Sequence, residues 1–349
     1  MTVASFRSMG GFLSLTLRVL VNLESLNMAE SVGNVTRHRK APVVVKAEDG
    51  GYRMVYVPVI SGMTLAHHYQ RHLAMAAASM GLPVTRMSLL GYFMKFAEDS
   101  IIQNHYPEVK DKVKKDKPCE SEEAIVRACT VADVGGFLYT NGGVKRTSRF
   151  SFTYLAPALE ALEKGAAGVL PQLHTRYTPG ARKEEQALYY VDTGSALYTL
   201  TYTLEASKIA RLETCPALRE NKEDLGPEER VKRFEASYKA LAAMLGNMAF
   251  GAKRSRSQPH WVVDSVIVVA GVGLTPFIPT PGHYSDYMQD TINRLKVQAS
   301  VGVLRDYTIE YYIRGGSTTA KPGSGNEAGN LEEAITRASE WLKERLGEA

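Results

Sequence analysis

Cysteine is scarce in this chain: Cys119, Cys129 and Cys215 are the only three, and no two stand as a CxxC pair. That spacing offers neither a disulfide framework nor a zinc knuckle, so the expectation is three inert thiols in a reducing compartment. Long apolar runs are missing as well. Residues 10–22 are apolar but interrupted by Arg18, and nothing approaches the roughly 18 residues a membrane-spanning helix needs. With Leu13, Leu15, Leu17, Val19 and Val21 alternating, this segment reads as a strand rather than a signal peptide. No membrane contact and a cytoplasmic location are expected. A strong charge of one sign is also lacking, since the formal net charge is only +5. Bulk charge therefore says little, and local clusters must carry any case for a polyanionic partner.

Several motifs are absent too. Gly271-Val272-Gly273 follows a strand-like run, but Pro276 stands at the third-glycine position and Pro279 and Pro281 follow, which excludes a dinucleotide fingerprint. The loop at Gly142 lacks the order of a P-loop. His68 and His72 lie one helical turn apart, yet no HExxH pattern or nearby carboxylate completes a metal set. No metal and no cofactor are expected. There is no RNP-type run of an ordinary RNA-recognition motif.

What is present is a hydrophobic fraction of 44% and strand signals at 13–21, 43–46, 52–60, 150–155, 197–204 and 262–269, with helical periods between them. From Ser61, the positions Leu65, Tyr69, Leu73, Ala76 and Met80 step by three and four. Pro227 opens a second helix that Gly246 stops, and Asn330 with Glu333 marks the N-terminus of a third. Strands interleaved with single helices predict an α+β sheet domain. Three segments read as insertions into one core spanning 1–349: residues 81–124, a hairpin-like stretch within 160–191 that reverses at Thr178-Pro179-Gly180, and a Gly/Ser/Thr-rich flexible connection, 315–329, before the C-terminal helix.

Two basic stretches echo each other. Gly142-Gly143-Val144-Lys145-Arg146-Thr147-Ser148-Arg149 and Gly251-Ala252-Lys253-Arg254-Ser255-Arg256 both leave glycine-bearing loops, and Arg37-His38-Arg39-Lys40 is a third cluster. Cations mixed with hydroxyls on flexible backbone suit phosphate oxygens. Tyrosines beside them, including Tyr139, Tyr154, Tyr177, Tyr189 and Tyr190, favour a single-stranded nucleic acid over a duplex. His174, among Gln172, Thr175, Arg176 and Tyr177, fits base stacking or phosphate contact. It also leaves open general-base attack by a ribose hydroxyl.

Ordered motifs then become recognisable. Asn22-Leu23-Glu24-Ser25-Leu26-Asn27, Gly33-Asn34-Val35-Thr36-Arg37-His38-Arg39, Ala41-Pro42-Val43-Val44 and Pro58-Val59-Ile60-Ser61-Gly62 lead to Leu65-Ala66-His67 and Tyr69-Gln70. Ala132-Asp133-Val134-Gly135-Gly136-Phe137-Leu138-Tyr139, Arg146-Thr147-Ser148-Arg149, Ser195-Ala196-Leu197-Tyr198 and Lys253-Arg254-Ser255-Arg256 follow. From about residue 13 to 294 the chain resembles the type I-A CRISPR Cascade backbone subunit, of the DevR-like branch of the repeat-associated RAMP superfamily. Met28 departs from the glycine of that pattern, and residues 1–12 have no counterpart in it.

The resemblance implies a modified ferredoxin-like (RRM-like) palm with helical insertions and a β-hairpin thumb. It implies a non-catalytic subunit that polymerises head-to-tail along CRISPR RNA while the guide bases pair with target single-stranded DNA. Other Cascade subunits, including the one that binds the repeat handle, would be partners. The expected RNA-binding residues are Asn34, Arg37, His38, Arg39, Ser61, His67, Gln70, Arg146, Arg149, His174, Lys253, Arg254 and Arg256. The alternative is a metal-independent endoribonuclease that processes CRISPR RNA through His174.

Overall fold

The structure is a computed structural model that describes residues 10–176, 179–180, 187–218 and 224–347. It opens on β1 (Gly10–Glu24), followed by one hairpin of β2 (Met28–Val32) and β3 (Val35–His38) and a second of β4 (Lys40–Lys46) and β5 (Tyr52–Pro58). Helix α1 (Gly62–Ser79) leads into α2 (Arg86–Leu89), α3 (Asp99–His105), α4 (Pro118–Ala128) and α5 (Thr130–Gly135). Next come β6 (Phe137–Tyr139), β7 (Val144–Arg146), β8 (Phe150–Phe152), β9 (Ala156–Pro157) and α6 (Leu159–Glu163). A long antiparallel pair, β10 (Ala167–Arg176) and β11 (Ala187–Leu204), precedes α7 (Thr214–Ala217) and α8 (Pro227–Gly246). The chain closes with β12 (His260–Gly273), α9 (Tyr287–Ser300), β13 (Leu304–Ile313), β14 (Asn326–Glu327) and α10 (Leu331–Gly347).

One mixed sheet runs in the order β14-β13-β12-β1-β11-β3-β2, and β8, β9 and β10 also pair with β11. Strand β1 is central because it is buried on both faces, one of them apolar and the other carrying Ser14, Thr16 and Arg18 behind Phe12. Leu13, Leu15, Leu17, Val19 and Val21 enter a core shared with α1, α8 and α10, whereas Phe12 joins Ile267, Tyr287, Ile292 and Leu295 beneath α9. Removing a side chain such as Leu17 would cost about 2–5 kcal/mol in a core this close-packed. The mixed α+β architecture is the one the strand and helix periods predict.

Local signals decide the helix ends. Ser61 Oγ accepts the N–H of Thr64 and opens α1. Pro227 sits at the start of α8. Asn330 Oδ1 accepts the N–H of Glu333 at 2.8 Å, and the Glu333 carboxylate reaches back to the N–H of Gly329 at 2.6 Å, so α10 begins with a reciprocal cap.

Four expectations change. Gly10, Gly11 and Phe12, which have no counterpart in the family pattern, are paired with β12 and belong to the central strand; residues 1–9 lie outside the described residues. The 315–329 connection is tied down: Thr319 Oγ1 reaches Asp264, Gly323 N–H reaches Gln289, and β14 pairs with β13. The hairpin within 160–191 begins with α6, and its ladder runs from Ala167 opposite Ala196 to Arg176 opposite Ala187. Tyr177 and Thr178, at its expected tip, lie outside the described residues.

The fourth change concerns the thiols. Cys119 on α4 and Cys215 on α7 form a disulfide across 96 residues of sequence, leaving Cys129 as a buried free thiol. Sequence spacing detects local frameworks, and this pair is brought together only by the packing of α4 on α7.

Candidate nucleic-acid interface

The turn at residues 24–27 gathers three separate segments. The backbone carbonyl of Leu26 accepts the N–H of Ala252, and that of Asn27 accepts the N–H of Arg39, each at 2.8 Å. Asn27 Oδ1 accepts the N–H of Ser61, also at 2.8 Å. Arg39, the start of α1 and the 251–256 loop therefore converge from positions far apart in sequence. Among the expected site residues, Asn27 was missed. Its motif is conspicuous, but a residue that acts through its backbone carbonyl and one amide oxygen leaves no charge signature.

Beside Arg39 and the start of α1 lies an open groove of about 360 Å³, lined by Arg39, Ser61, Met63, Thr64, His67, His68 and Tyr154. No carboxylate is among these lining residues. The first turn of α1 also contains no acidic residue, so the positive end of its dipole faces the groove uncompensated. Arg39 Nε and Arg254 Nε are buried and find no hydrogen-bond acceptor among the described residues. Burial first, and then the nearby His67, Arg71, His72 and Arg254, push the His68 imidazole down to about 4, so it is neutral at pH 7. Burial, with a smaller contribution from Arg71, also lowers His67. Met63 is 84% exposed at the rim and Tyr154 is exposed, giving apolar and aromatic surface beside the cations.

The 251–256 loop lies near this groove, with Arg254 close enough to help lower His68. Gly251 has φ of +86° and presses against Leu26, where a Cβ would lie 2.8 Å from the Leu26 side chain. Lys253 is in the left-handed region at φ 55°, and its carbonyl accepts the N–H groups of Arg256 and Ser257. Lys253 and Arg256 are exposed and Arg254 is partly buried. Burial and the neighbouring Arg256 both lower the Lys253 ammonium from its ordinary value.

Asn34, Arg37 and His174 sit apart from this groove, on a neighbouring part of the sheet. Val35 and Thr36 of β3 pair in parallel with Tyr190 and Val191 of β11, and Asn34 Nδ2 donates to the carbonyl of Leu188. Asn34 and Arg37 are exposed. His174 is exposed on β10, where its ring stacks on Tyr189 with centroids 5.3 Å apart. Among the described residues its imidazole makes no hydrogen bond.

Four expected site residues point inward instead. Strand β7 alternates, so Lys145 and Thr147 face outward while Val144 and Arg146 face the core. Arg146 is only 2% exposed. Its guanidinium is ion-paired with Asp133 and Glu122 and donates to the carbonyls of Asp133 and Arg211. Arg149, also 2% exposed, pairs with Glu213 at 2.6 Å. Arg233 meets Asp133 from α8 at 2.9 Å. Burial by itself would raise Asp133, but Arg146 and Arg233 outweigh it and hold the carboxyl below its ordinary value. The Arg146 guanidinium is committed this way and is not free to meet a phosphate, whereas Arg149 is held by Glu213 through one nitrogen and keeps Nε and Nη2 buried without an acceptor among the described residues.

His38 is buried between Glu24, 2.7 Å from Nε2, and the carbonyl of Arg39, 2.8 Å from Nδ1. Gln70 is 6% exposed, donates to the carbonyl of Ala66, and abuts Gly135. It faces Gly135 at the end of α5. In all four cases charge or polarity is visible in the sequence, but the facing direction is fixed by tertiary packing.

Among the described residues, no group of three or more His, Cys, Asp or Glu could hold a metal ion. No described helix is long and apolar enough to cross a membrane.

Comparison with known proteins now decides the family. The family described as CRISPR-associated negative auto-regulator DevR/Csa2 matches residues 15–292. The chain belongs to the DevR/Csa2 family. A CRISPR-associated aCascade subunit Cas7/Csa2 2 of Saccharolobus solfataricus is 38% identical over 300 residues, covering 85% of this chain and 90% of that one. A Cas7/Csa2 1 protein of the same organism is 30% identical over 87% of this chain and 92% of its own. Among solved structures, a chain of a CRISPR RNA-guided surveillance complex, pre-nicking, aligns with TM-score 0.52 at 9% identity, covering 95% of this chain and all of that one. That likeness extends the DevR/Csa2 fold to very distant sequences. The family match encloses the 24–27 turn, the start of α1 and the 251–256 loop.

Proposed function

We propose that this DevR/Csa2 chain is a non-catalytic backbone subunit of a type I-A Cascade complex, gripping the phosphates of a CRISPR RNA. The observation that carries this reading is the groove itself. Arg39 with its unpartnered Nε, two hydroxyls and a helix N-terminus converge there with no carboxylate among the lining residues, and Arg254, whose Nε is also unpartnered, is near enough to His68 to depress its imidazole. Such a set neutralises phosphate without reading bases, which is what a protein must do to accept any guide sequence. The printed name of the 38% identical relative, an aCascade subunit, points the same way.

In this reading the sheet around β1 is a ferredoxin-like palm and the β10–β11 hairpin is the thumb. Copies of the chain repeat head-to-tail along the RNA, a heterologous contact that builds an open filament rather than a closed ring. Bases held outward are then free to pair with target single-stranded DNA. The other Cascade subunits, including the one at the repeat handle, complete a cytoplasmic assembly.

Photo-crosslinking to a uridine-rich RNA and mapping of the labelled peptides tests the reading. Adducts are expected in residues 61–68 and 251–256; labelling confined to the outer face of β6 and β7 would refute it. The endoribonuclease alternative relies on His174, whose stacking on Tyr189 suits base contact better than proton transfer. Incubation with a repeat-containing transcript in EDTA is expected to leave the RNA intact. Specific cleavage abolished by His174→Ala would reverse the ranking.

A further inference from the structure

His38 lies between two acceptors. Its Nδ1 is 2.8 Å from the carbonyl oxygen of Arg39, and its Nε2 is 2.7 Å from Glu24 Oε1. Neither a carbonyl nor a carboxylate oxygen can donate, so Nδ1 needs a proton to bond Arg39, and Nε2, in close ion contact with Glu24 though not in hydrogen-bond alignment, is favoured there only when it too is protonated. The buried geometry thus selects the imidazolium. Glu24 is itself committed to the charged form: Oε1 accepts the hydroxyl of Tyr198 at 2.8 Å and Oε2 accepts the N–H of Leu26 at 2.9 Å.

The peptide that His38 holds is the one whose side chain lines the groove. Arg39 contributes its carbonyl to His38 and its guanidinium to the groove. The backbone N–H of His38 meanwhile donates to Asp192 Oδ2 on β11, opposite Pro171 on β10. One side chain and its own amide therefore join β1, the root of the β10–β11 hairpin, and Arg39.

We propose that His38 is a proton-dependent positioning residue: its imidazolium locks Arg39 into the groove, so that the chain holds RNA phosphates more tightly when His38 is protonated than when it is not. The groups facing it are Glu24 from β1, Asp192 and the Glu24-bound Tyr198 from β11, the uncharged Met28 opposite it on β2, and Arg37 and Arg39 on either side along the chain. Burial alone would lower the imidazole. The Glu24 carboxylate, the Arg39 carbonyl and the Asp192 charge outweigh burial and raise it above its ordinary value of 6.5. A raised value gives a contribution fully present below the ordinary value and lost as pH rises through the folded one. The lock is therefore closed at neutral pH and opens on the alkaline side.

The affinity part of this inference rests on the guide-RNA reading; the lock itself does not. The affinity of the intact protein for a single-stranded RNA is measured at fixed ionic strength from about pH 6 to pH 9, alongside the hydrogen-exchange protection of the Arg39 amide. Wild-type affinity should fall as pH rises across the range, the direction set by a raised imidazole that loses its proton on the alkaline side. Arg39 protection should fall in parallel without RNA. His38→Gln should sit at the weaker level and be flat with pH. Glu24→Gln should move the midpoint lower, because it removes the charge that raises His38. If His38→Gln keeps the wild-type pH profile, or if wild-type protection at Arg39 is flat with pH, the lock does not exist. Should the variants fail to fold, the wild-type protection profile alone decides. Absence of RNA binding at every pH with a normal protection profile would remove the guide-RNA reading and leave the lock standing.

Discussion

Asn27 Oδ1 accepts the backbone N–H of Ser61 at 2.8 Å, while the carbonyl of the same asparagine accepts the N–H of Arg39. One residue thereby sets the distance between a phosphate-sized helix N-terminus and a guanidinium. Asn27→Ala would leave the Ser61 N–H buried without an acceptor, at about 1–3 kcal/mol. Thermal unfolding should show that loss, and RNA affinity should drop by a larger factor than in a surface control such as Lys239→Ala.

Arg146 and Arg254 look alike in sequence and should behave oppositely. Arg146→Ala would leave Asp133 and Glu122 buried without their shared cation, costing about 3–5 kcal/mol. Denaturant unfolding should register it. Arg254→Ala should leave the unfolding midpoint nearly unchanged while reducing RNA affinity and its salt dependence.

Acid should destabilise the fold through Asp133. Its carboxyl, fully buried between Arg146 and Arg233, lies below the ordinary carboxylate value. A depressed carboxylate contributes stability that is present above its unfolded value and lost as pH falls through the folded one. Asp133→Asn should therefore be less stable than wild type at neutral pH. The gap between them should narrow as pH falls below the ordinary carboxylate range, as measured by urea unfolding.

The Cys119–Cys215 disulfide closes a loop of 96 residues and sits one helical turn from Glu122, which accepts the N–H groups of Glu213 and Thr214. Reduction, or Cys215→Ser, should lower stability by about 2–5 kcal/mol. Non-reducing electrophoresis should show the faster-migrating cross-linked chain. Unfolding curves with and without a dithiol should separate by that amount.

The elements were legible where their signals are local. The Leu13 to Val21 alternation, the Ser61 and Asn330 caps and the Pro227 start all describe short-range geometry, and they emerged at or near the expected positions. The site was legible only in part. Arg39, Ser61 and His67 do share one groove, with Arg254 near enough to affect His68, but four other candidates turn inward. Alternation along β7 hints that Arg146 and Lys145 face opposite ways, yet only the packing of α4, α5 and α8 reveals which side is the core. The Cys119–Cys215 pair illustrates the same limit, since no spacing rule reports a contact made across 96 residues.

The central claim is that the groove at the start of α1 and the nearby 251–256 loop hold RNA phosphates through Arg39 and Arg254. Equilibrium binding of a single-stranded RNA, titrated over a range of salt concentrations, tests it most directly. Wild type should lose affinity linearly on a log–log scale, and the Arg39→Ala/Arg254→Ala double variant should have a slope shallower by about 1.4, at roughly 0.7 for each phosphate contact removed. A double variant with the wild-type slope, or a wild type indifferent to salt, would contradict it.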